Sequence, residues 1–213
     1  MGLVVDAVEL DELVVGDEPE AWAGAGFTVD PDGVARVGTV RIRLVGRADG
    51  KRIRSWSLRG LPAGTADVDG IATAVSDQPA PEPAEHANGV VSIDHVVLAT
   101  PDMARTRANL ESLGIELRRQ REIDASQYGF PALQCFFRIG EPILEVVGAA
   151  EPNGDGPAAF FGLAYTVADL DVLPAVYGPS LGRVKDAVQE GRRIATLRHK
   201  ELDLSVATAF MTP

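Results

Sequence analysis

The chain has 213 residues, a hydrophobic fraction of 46% and a formal net charge of −11. This content supports one large or two small folded domains and excludes disorder as the default state. The negative charge excludes nucleic acid and an anionic membrane surface as main partners.

Short apolar runs bounded by glycine and proline predict a strand-rich α+β fold. In the first half, the pattern predicts strands at residues 10–15, 34–36, 39–45 and 53–61. Asp17, Glu18 and Pro19 form a helix start, so a helix is predicted at 18–25. After Asp67 the pattern breaks off into a truncated unit.

A proline-rich, acidic stretch, VSDQPAPEPAEHAN at 75–88, is typical of an extended linker. It divides the chain into three predicted parts. Residues 1–74 form a degenerate half with one module and a truncated one, residues 75–89 form the linker, and residues 90–213 form a half with two modules.

The second half begins with predicted strands at 91–99, 117–122, 133–139 and 143–147. A helix is predicted at 102–113, with Thr100 as its N-cap and Gly114 as its C-cap. A further unit has predicted strands at 162–167, 181–188, 193–198 and 204–211 and a short helix at 169–177. The chain is therefore expected to carry three units of strand, helix and three strands, plus the truncated fourth.

An internal repeat links the two halves. RVGTVRIRLVG at 36–46 matches RIGEPILEVVG at 138–148, and ELDELVV at 9–15 matches SIDHVVL at 92–98. A third block, WSLRGL at 56–61, is aligned with FGLAYT at 161–166. Three matching blocks in one order predict a duplicated architecture.

The strand IDHVVLATPD, a helix ending in leucine and glycine, and the strand ILEVVG resemble the vicinal oxygen chelate superfamily. That superfamily includes glyoxalase I, bleomycin-resistance proteins and extradiol dioxygenases. The resemblance covers residues 92–213 and reaches the first half only through the repeat. It implies repeated βαβββ modules that pair into open, cup-shaped mixed sheets.

The resemblance also implies a position for a metal. Family members place a histidine on the first strand of a module and a carboxylate on its last strand, twice over. His95 and Glu145 occupy two of these positions, and Glu145 would also be the catalytic group. Gly162 and Ala209 occupy the other two and offer no ligand. A divalent ion, Fe, Mn, Ni or Zn, would therefore have an incomplete ligand set.

Strand alternation leads to the same pair, because His95 and Glu145 each interrupt an apolar row on one strand face. A buried carboxylate without a partner costs several kcal/mol, so Glu145 requires His95, a cation, a ligand donor or water. The pair is either a metal or substrate site or a self-satisfied polar pair. Further metal ligands would have to come from His86, His199, Glu141 or another chain.

The first copy offers a contrast. The repeat aligns Glu12 with His95 and Arg43 with Glu145, and a carboxylate and a guanidinium can neutralise each other without metal. We expect a structural ion pair between Glu12 and Arg43. Arg41 lies on the same face, so this cup should be basic.

The candidate substrate-binding residues lie in the second half. The default interpretation of Arg183 and Lys185 is a solvated hairpin, and the alternative is that one of them pairs with an anionic substrate. Tyr165 and Gln134 are expected in the core or in the lining of the cup.

Two functions are consistent with these residues. One is a metal-assisted lyase, isomerase or dioxygenase, and the other is a metal-free protein that binds or sequesters a small molecule. The expected partner is a small molecule, not nucleic acid or a membrane, and an odd module count favours a homodimer. Cys135 is the only cysteine, and its apolar strand predicts a buried thiol in a cytoplasmic protein.

Overall fold

The structure is a computed structural model that describes residues 7–124 and 131–213. Its α-helices are α1 (Pro19–Gly24), α2 (Met103–Ser112) and α3 (Leu173–Tyr177), and short 3-10 helices span Leu170–Val172, Gly178–Ser180 and His199–Leu202. Its strands are β1 (Glu9–Val15), β2 (Val34–Val37), β3 (Val40–Leu44), β4 (Ile53–Arg59), β5 (Asp67–Val68), β6 (Ile71–Ser76), β7 (Val90–Thr100), β8 (Leu117–Ile123), β9 (Ala132–Arg138), β10 (Ile143–Ala149), β11 (Ala159–Val167), β12 (Lys185–Asp186), β13 (Arg193–Leu197) and β14 (Ala207–Met211).

The strands form two mixed sheets. The first sheet has the order β2-β3-β1-β4-β6-β5, and the second has the order β12-β13-β14-β11-β7-β10-β9-β8. Each is built on a central antiparallel pair, β1/β4 or β7/β11, and each central strand has a parallel outer neighbour. The predicted fold class, with paired βαβββ modules in open mixed sheets, is confirmed.

The modules of the two sheets differ in completeness. The second sheet contains two complete modules, β7-α2-β8-β9-β10 and β11-α3-β12-β13-β14. In the first sheet, β4, β5 and β6 form a fourth, shortened module, and the described residues of that half include no counterpart of β8 or β12. Four modules pair within one chain, so the argument for a homodimer from an odd count no longer holds. The homodimer itself stays a prediction.

The strand register supports the internal duplication. Glu12 pairs with Arg41 in the parallel β1/β3 ladder, and His95 pairs with Ile143 in the equivalent β7/β10 ladder. The sequence alignment of the third block, 56–61 with 161–166, is two residues out of register with the strand pairing. Because Glu12 pairs with Ser57 and His95 pairs with Ala164, Ser57 corresponds to Ala164 and not to Gly162. A shift of two residues keeps every side chain on the same face of the sheet, so the alternation of apolar and polar residues could not reveal the error.

The apolar faces of both sheets and the helices enclose one continuous core. Trp22, Trp56 and Tyr165 are among its largest fully buried side chains. The Trp56 and Phe160 rings lie 5.4 Å apart, and the Phe27 and Tyr165 rings lie 5.3 Å apart, so aromatic contacts join the two halves. Cys135 is fully buried, as predicted.

A polar cluster also joins the halves at the start of α2. The Arg105 guanidinium forms an ion pair with Asp69 at 2.6 Å, and Thr106 donates to the same carboxylate. The N-cap of α2 is Asp102, which accepts from the Arg105 amide at 3.0 Å, and not Thr100 as predicted. Thr100 ends β7 instead, because that strand continues one residue further than the apolar pattern indicated.

The proline-rich segment packs against the first sheet. β6 extends to Ser76, inside the predicted linker, and residues 77–89 then continue without helix or strand. The carbonyls of Pro79 and Glu82 accept hydrogen bonds from Arg41 and Arg36 at 2.8 and 2.5 Å. The domain boundaries at 74/75 and 89/90 remain a prediction.

The last module is less regular than expected. The predicted strand at 181–188 is reduced to β12, and the predicted strand at 204–211 begins only at Ala207. His199 lies in a 3-10 helix. In the described part of the chain, no helix has the length and apolar content to cross a membrane.

Candidate functional site

A cavity of about 430 Å³ lies on the polar face of the second sheet. Side chains from β7, β8, β9, β10, β13 and β14 line it, and residues 185–189 close one side. Its volume is within the range of small-molecule sites. The cavity contains both His95 and Glu145.

His95 and Glu145 face each other in the cavity. Each lies on one of the parallel strands β7 and β10, and Glu145 pairs with Val97, two residues beyond His95. Alternation therefore places both side chains on the same face. The distance from His95 Nε2 to Glu145 Oε2 is 3.5 Å. The structure thus brings together the two polar residues singled out from the sequence.

Glu145 is largely buried and is held by an amide. Gln134 Nε2 donates to Glu145 Oε1 at 2.5 Å. Burial raises the pKa of the Glu145 carboxyl, and the opposing effects of His95, Gln134 and Arg121 do not cancel this shift. Glu145 therefore holds a proton more readily than an exposed glutamate.

Asp94 reaches the same face through a β-bulge. The β7/β11 register shifts between Ala164 and Tyr165, opposite Asp94, so two successive side chains leave the usual alternation. Asp94 Oδ1 lies 2.7 Å from His95 Nδ1, and Arg192 donates to Oδ2. Burial by itself would raise the pKa of Asp94, but these two partners outweigh it and lower the pKa.

These contacts set the orientation of the His95 imidazole. An ionised Asp94 only accepts hydrogen bonds, so Nδ1 carries the hydrogen that it receives. In the neutral imidazole, Nε2 is then an acceptor that faces the Glu145 carboxylate. Nε2 and Oε2 are then two acceptors only 3.5 Å apart, and this arrangement is stable only if one of them carries a proton or a donor lies between them. The row Asp94, His95 and Glu145 can therefore hold and exchange one proton.

Two buried polar atoms of the cavity lining have no hydrogen-bond partner in the part of the chain that the structure describes. They are Nε of Arg121 and Oε1 of Gln134. Arg119 and Lys185 also line the cavity and form no ion pair with other described residues. Buried polar groups in folded proteins are usually satisfied. The unpaired donor and acceptor therefore indicate a missing ligand or ordered water.

The residues present do not complete a metal site. A Cβ atom at Gly162 would lie 2.5 Å from the Ala207 carbonyl oxygen, so a histidine cannot be accommodated there without a backbone shift. Ala209 carries no donor. Among the described residues, no group of three or more histidine, cysteine or carboxylate side chains is placed to hold an ion. Structural and catalytic metal sites usually require three or four protein ligands.

The other proposed ligands lie elsewhere and do not line the cavity. His86 Nδ1 accepts from the Thr28 amide at 3.0 Å. Glu141 accepts from the Thr39 amide at 2.8 Å. His199 lies in the 3-10 helix that precedes β14.

The structure separates the predicted substrate-binding residues. Lys185 and Gln134 line the cavity. Arg183 is exposed outside the lining, because β12 begins only at Lys185. Tyr165 has no solvent exposure and packs in the core on the opposite face, between Phe27 and Phe210.

Three residues of the site were not identified from the sequence. Arg121 is one of several arginines on β8, and Arg192 is far from Asp94 along the chain, so neither has a local signal. Asp94 did have one, because the repeat aligns it with Asp11. An aspartate that recurs in an apolar strand of both copies marks a special position.

At the equivalent position of the first sheet, the charged side chains form ion pairs with one another. Arg43 Nη2 lies 2.9 Å from Glu12 Oε2, which confirms the predicted pair. Asp11 also lies at a register shift, between Leu10 and Glu12. Its carboxylate accepts from Arg41, from Arg59 at 2.6 Å and from Ser76 at 2.6 Å.

A second cavity, of about 420 Å³, lies beside α2 on the other side of the second sheet. Its lining is mainly apolar, and Arg107 and Glu111 pair with each other at 2.9 Å. None of its described lining side chains has a buried polar atom without a partner. The cavity over His95 is therefore the better candidate site.

Comparison with solved structures identifies similar folds. A variant of 4-hydroxymandelate synthase from Streptomyces coelicolor aligns with a TM-score of 0.64 and 13% identity, covering 98% of this chain and 92% of that chain. Methylmalonyl-CoA epimerase from Mycobacterium tuberculosis aligns with a TM-score of 0.45 and 16% identity, covering 59% and 89%. No family model and no curated protein matches the sequence. At these identities the likeness establishes the fold alone.

Proposed function

The chain has the vicinal oxygen chelate fold, and from this premise we propose that it binds a small organic molecule over His95 and Glu145 without a resident metal ion. The supporting observation is the cavity itself. It is large enough for such a ligand, and its lining contains a buried donor and a buried acceptor that no described residue satisfies.

The charge distribution supports this function. The lining combines one carboxylate with raised pKa, Glu145, with the cations Arg121 and Lys185. A bound metal would need further protein donors, and the strands that face His95 carry alanine and glycine at those positions. The polar groups present are instead suited to hydrogen bonding a ligand directly.

His95 has a defined part in this proposal. Asp94 and Arg192 hold the imidazole in one orientation, and Nε2 faces the ligand space beside Glu145. The pair can donate or accept one proton toward a bound molecule, so binding of a polar ligand is expected to depend on pH. Any chemical change of the ligand would use the proton shared by His95 and Glu145.

The test combines metal analysis with ligand binding. Protein expressed with added iron, manganese, nickel and zinc is purified, and its metal content is measured by mass spectrometry. We expect well under one equivalent per chain. The side-chain signals of Gln134 and His95 are then followed by NMR while a library of small organic molecules is added. Signal changes that are confined to the cavity, and lost when Met211→Trp fills it, are expected.

A metal-assisted enzyme is the second candidate. Asp94 orients His95 as a carboxylate orients many metal-binding histidines, and Nε2 and Glu145 Oε2 face one space. This function predicts close to one metal ion per chain, lost in both His95→Ala and Glu145→Ala. That result would replace the metal-free proposal. Absence of binding by every molecule in the library would contradict both.

A further inference from the structure

We infer that the ligand of the cavity is a small organic acid that presents a carboxylate to Arg121 and a hydrogen-bond donor to Gln134. This inference rests on the proposed function and specifies the class of molecule. Two atoms carry it, Arg121 Nε and Gln134 Oε1, both buried in the lining and both without a partner.

Arg121 sets the requirement for an anion. Its guanidinium contributes to the field at Glu145, but no acceptor within residues 7–124 and 131–213 uses its Nε hydrogen. Arg119, two residues away on β8, and Lys185, on the facing hairpin, add positive charge to the same wall. A guanidinium binds a carboxylate through two parallel hydrogen bonds, so an acid is the ligand that this wall best accommodates.

Gln134 sets the requirement for a donor. Only 7% of its surface is exposed, and its amide nitrogen is already used by Glu145. That contact fixes the amide and leaves Oε1 as a buried acceptor with no hydrogen-bond partner among the described residues. A buried acceptor left unpaired is costly, and a ligand hydroxyl or N–H would satisfy it.

Apart from His95, Glu145, Asp186 and Gln189, the remaining lining is apolar. Phe136, Ile194 and Met211 contribute hydrophobic surface, and Val188 adds an exposed side chain at the edge. The ligand is therefore an acid with an apolar body, and its donor lies close enough to the carboxylate to reach Gln134. A hydroxy acid or an N-acylated amino acid has this combination.

Matched probes test the inference. Phenyllactate carries the acid, the hydroxyl and an apolar body. Its methyl ester lacks the charge, and 3-phenylpropanoate lacks the hydroxyl. Binding of each to the full chain is measured by calorimetry and NMR, together with a wider set of acids and their methyl esters. We expect the acids to bind at least about tenfold more tightly than their esters, because charge-assisted hydrogen bonds exceed neutral ones.

Variants assign the two contacts. Arg121→Met should weaken binding of the acids about tenfold or more and leave the esters unchanged. Gln134→Met should weaken phenyllactate but not 3-phenylpropanoate. The matched control is Arg118→Met, which removes the same charge from the same strand at an exposed position outside the lining.

The outcomes separate the two proposals. Esters that bind as tightly as acids, or an equal loss in Arg118→Met, would overturn the acid requirement while small-molecule binding stands. Equal weakening of phenyllactate and 3-phenylpropanoate by Gln134→Met would overturn the donor requirement. Failure of all acids and all esters to bind would overturn the proposed function itself.

Discussion

The two sheets each contain a largely buried aspartate, and they satisfy its charge with different partners. Each has an aspartate at a register shift in its central strand, Asp11 in β1 and Asp94 in β7. Asp11 is surrounded by arginine and serine side chains of its own sheet, and a neighbouring ion pair neutralises Glu12. Asp94 instead orients a histidine that opens onto a cavity.

This difference separates a polar cluster that is satisfied within its own sheet from one that is only partly satisfied. In the first sheet, Asp11 and Glu12 are paired with arginines of the same sheet, and Arg41 also holds the proline-rich segment against it. In the second sheet, a buried donor and a buried acceptor remain free. Duplication therefore left one copy as scaffold and one copy with groups available for a ligand.

The largest expected effect is on stability, in the first sheet. Asp11→Asn removes the charge that neutralises Arg41 and Arg59, and its amide nitrogen would face a guanidinium. The Asp11 side chain is only 5% exposed, so the free energy of unfolding should fall by about 3 kcal/mol. Urea denaturation measures this loss. Ligand binding in the second sheet should be unchanged in the folded variant. A change in binding would contradict the assignment of different roles to the two sheets.

A smaller loss is expected for the matched change, Asp94→Asn, because the Asp94 side chain is 12% exposed and the Asp11 side chain only 5%. The free energy of unfolding should fall by about 1 to 2 kcal/mol near pH 7. Since the pKa of Asp94 is lowered in the folded state, its stabilisation is present above the usual aspartate pKa and is lost as the pH falls through the folded value.

Two measurements check this variant. The difference in unfolding free energy between wild type and Asp94→Asn should shrink below about pH 4, where aspartate is protonated in the unfolded chain. Nitrogen NMR should show a changed tautomer balance of His95, which a purely structural role of Asp94 would not require. An unchanged His95 spectrum would contradict its orienting role.

The smallest effect, and one of opposite sign, is expected for Glu145→Gln. The pKa of Glu145 is raised in the folded state, so its contribution to stability is greatest at low pH and falls as the pH rises through the folded value. The variant should be more stable than wild type by up to about 1 kcal/mol at pH 7. Thermal unfolding across pH 3 to 8 measures the difference, which should disappear at the acidic end. A variant less stable than wild type at pH 7 would show that ionised Glu145 is well paired.

Much of the architecture was predictable because it depends on short-range pattern. Strand alternation placed His95 and Glu145 on one face, and the repeat predicted the Glu12 and Arg43 pair before any coordinates. The strands β5 and β6 were missed, because one is very short and the other runs into proline-rich sequence.

The sequence by itself determined the duplicated strand-rich fold and the two polar residues at the centre of the site, since periodicity and repetition are local properties of a chain. Only the tertiary structure decided how those residues are used. A register shift turned Asp94 toward His95, and Arg192 came to it from a distant hairpin. Packing also buried Arg121 Nε and Gln134 Oε1 with no hydrogen-bond partner among the described residues. Register shifts and long-range pairings arise from the packing of whole sheets, which no window of sequence contains.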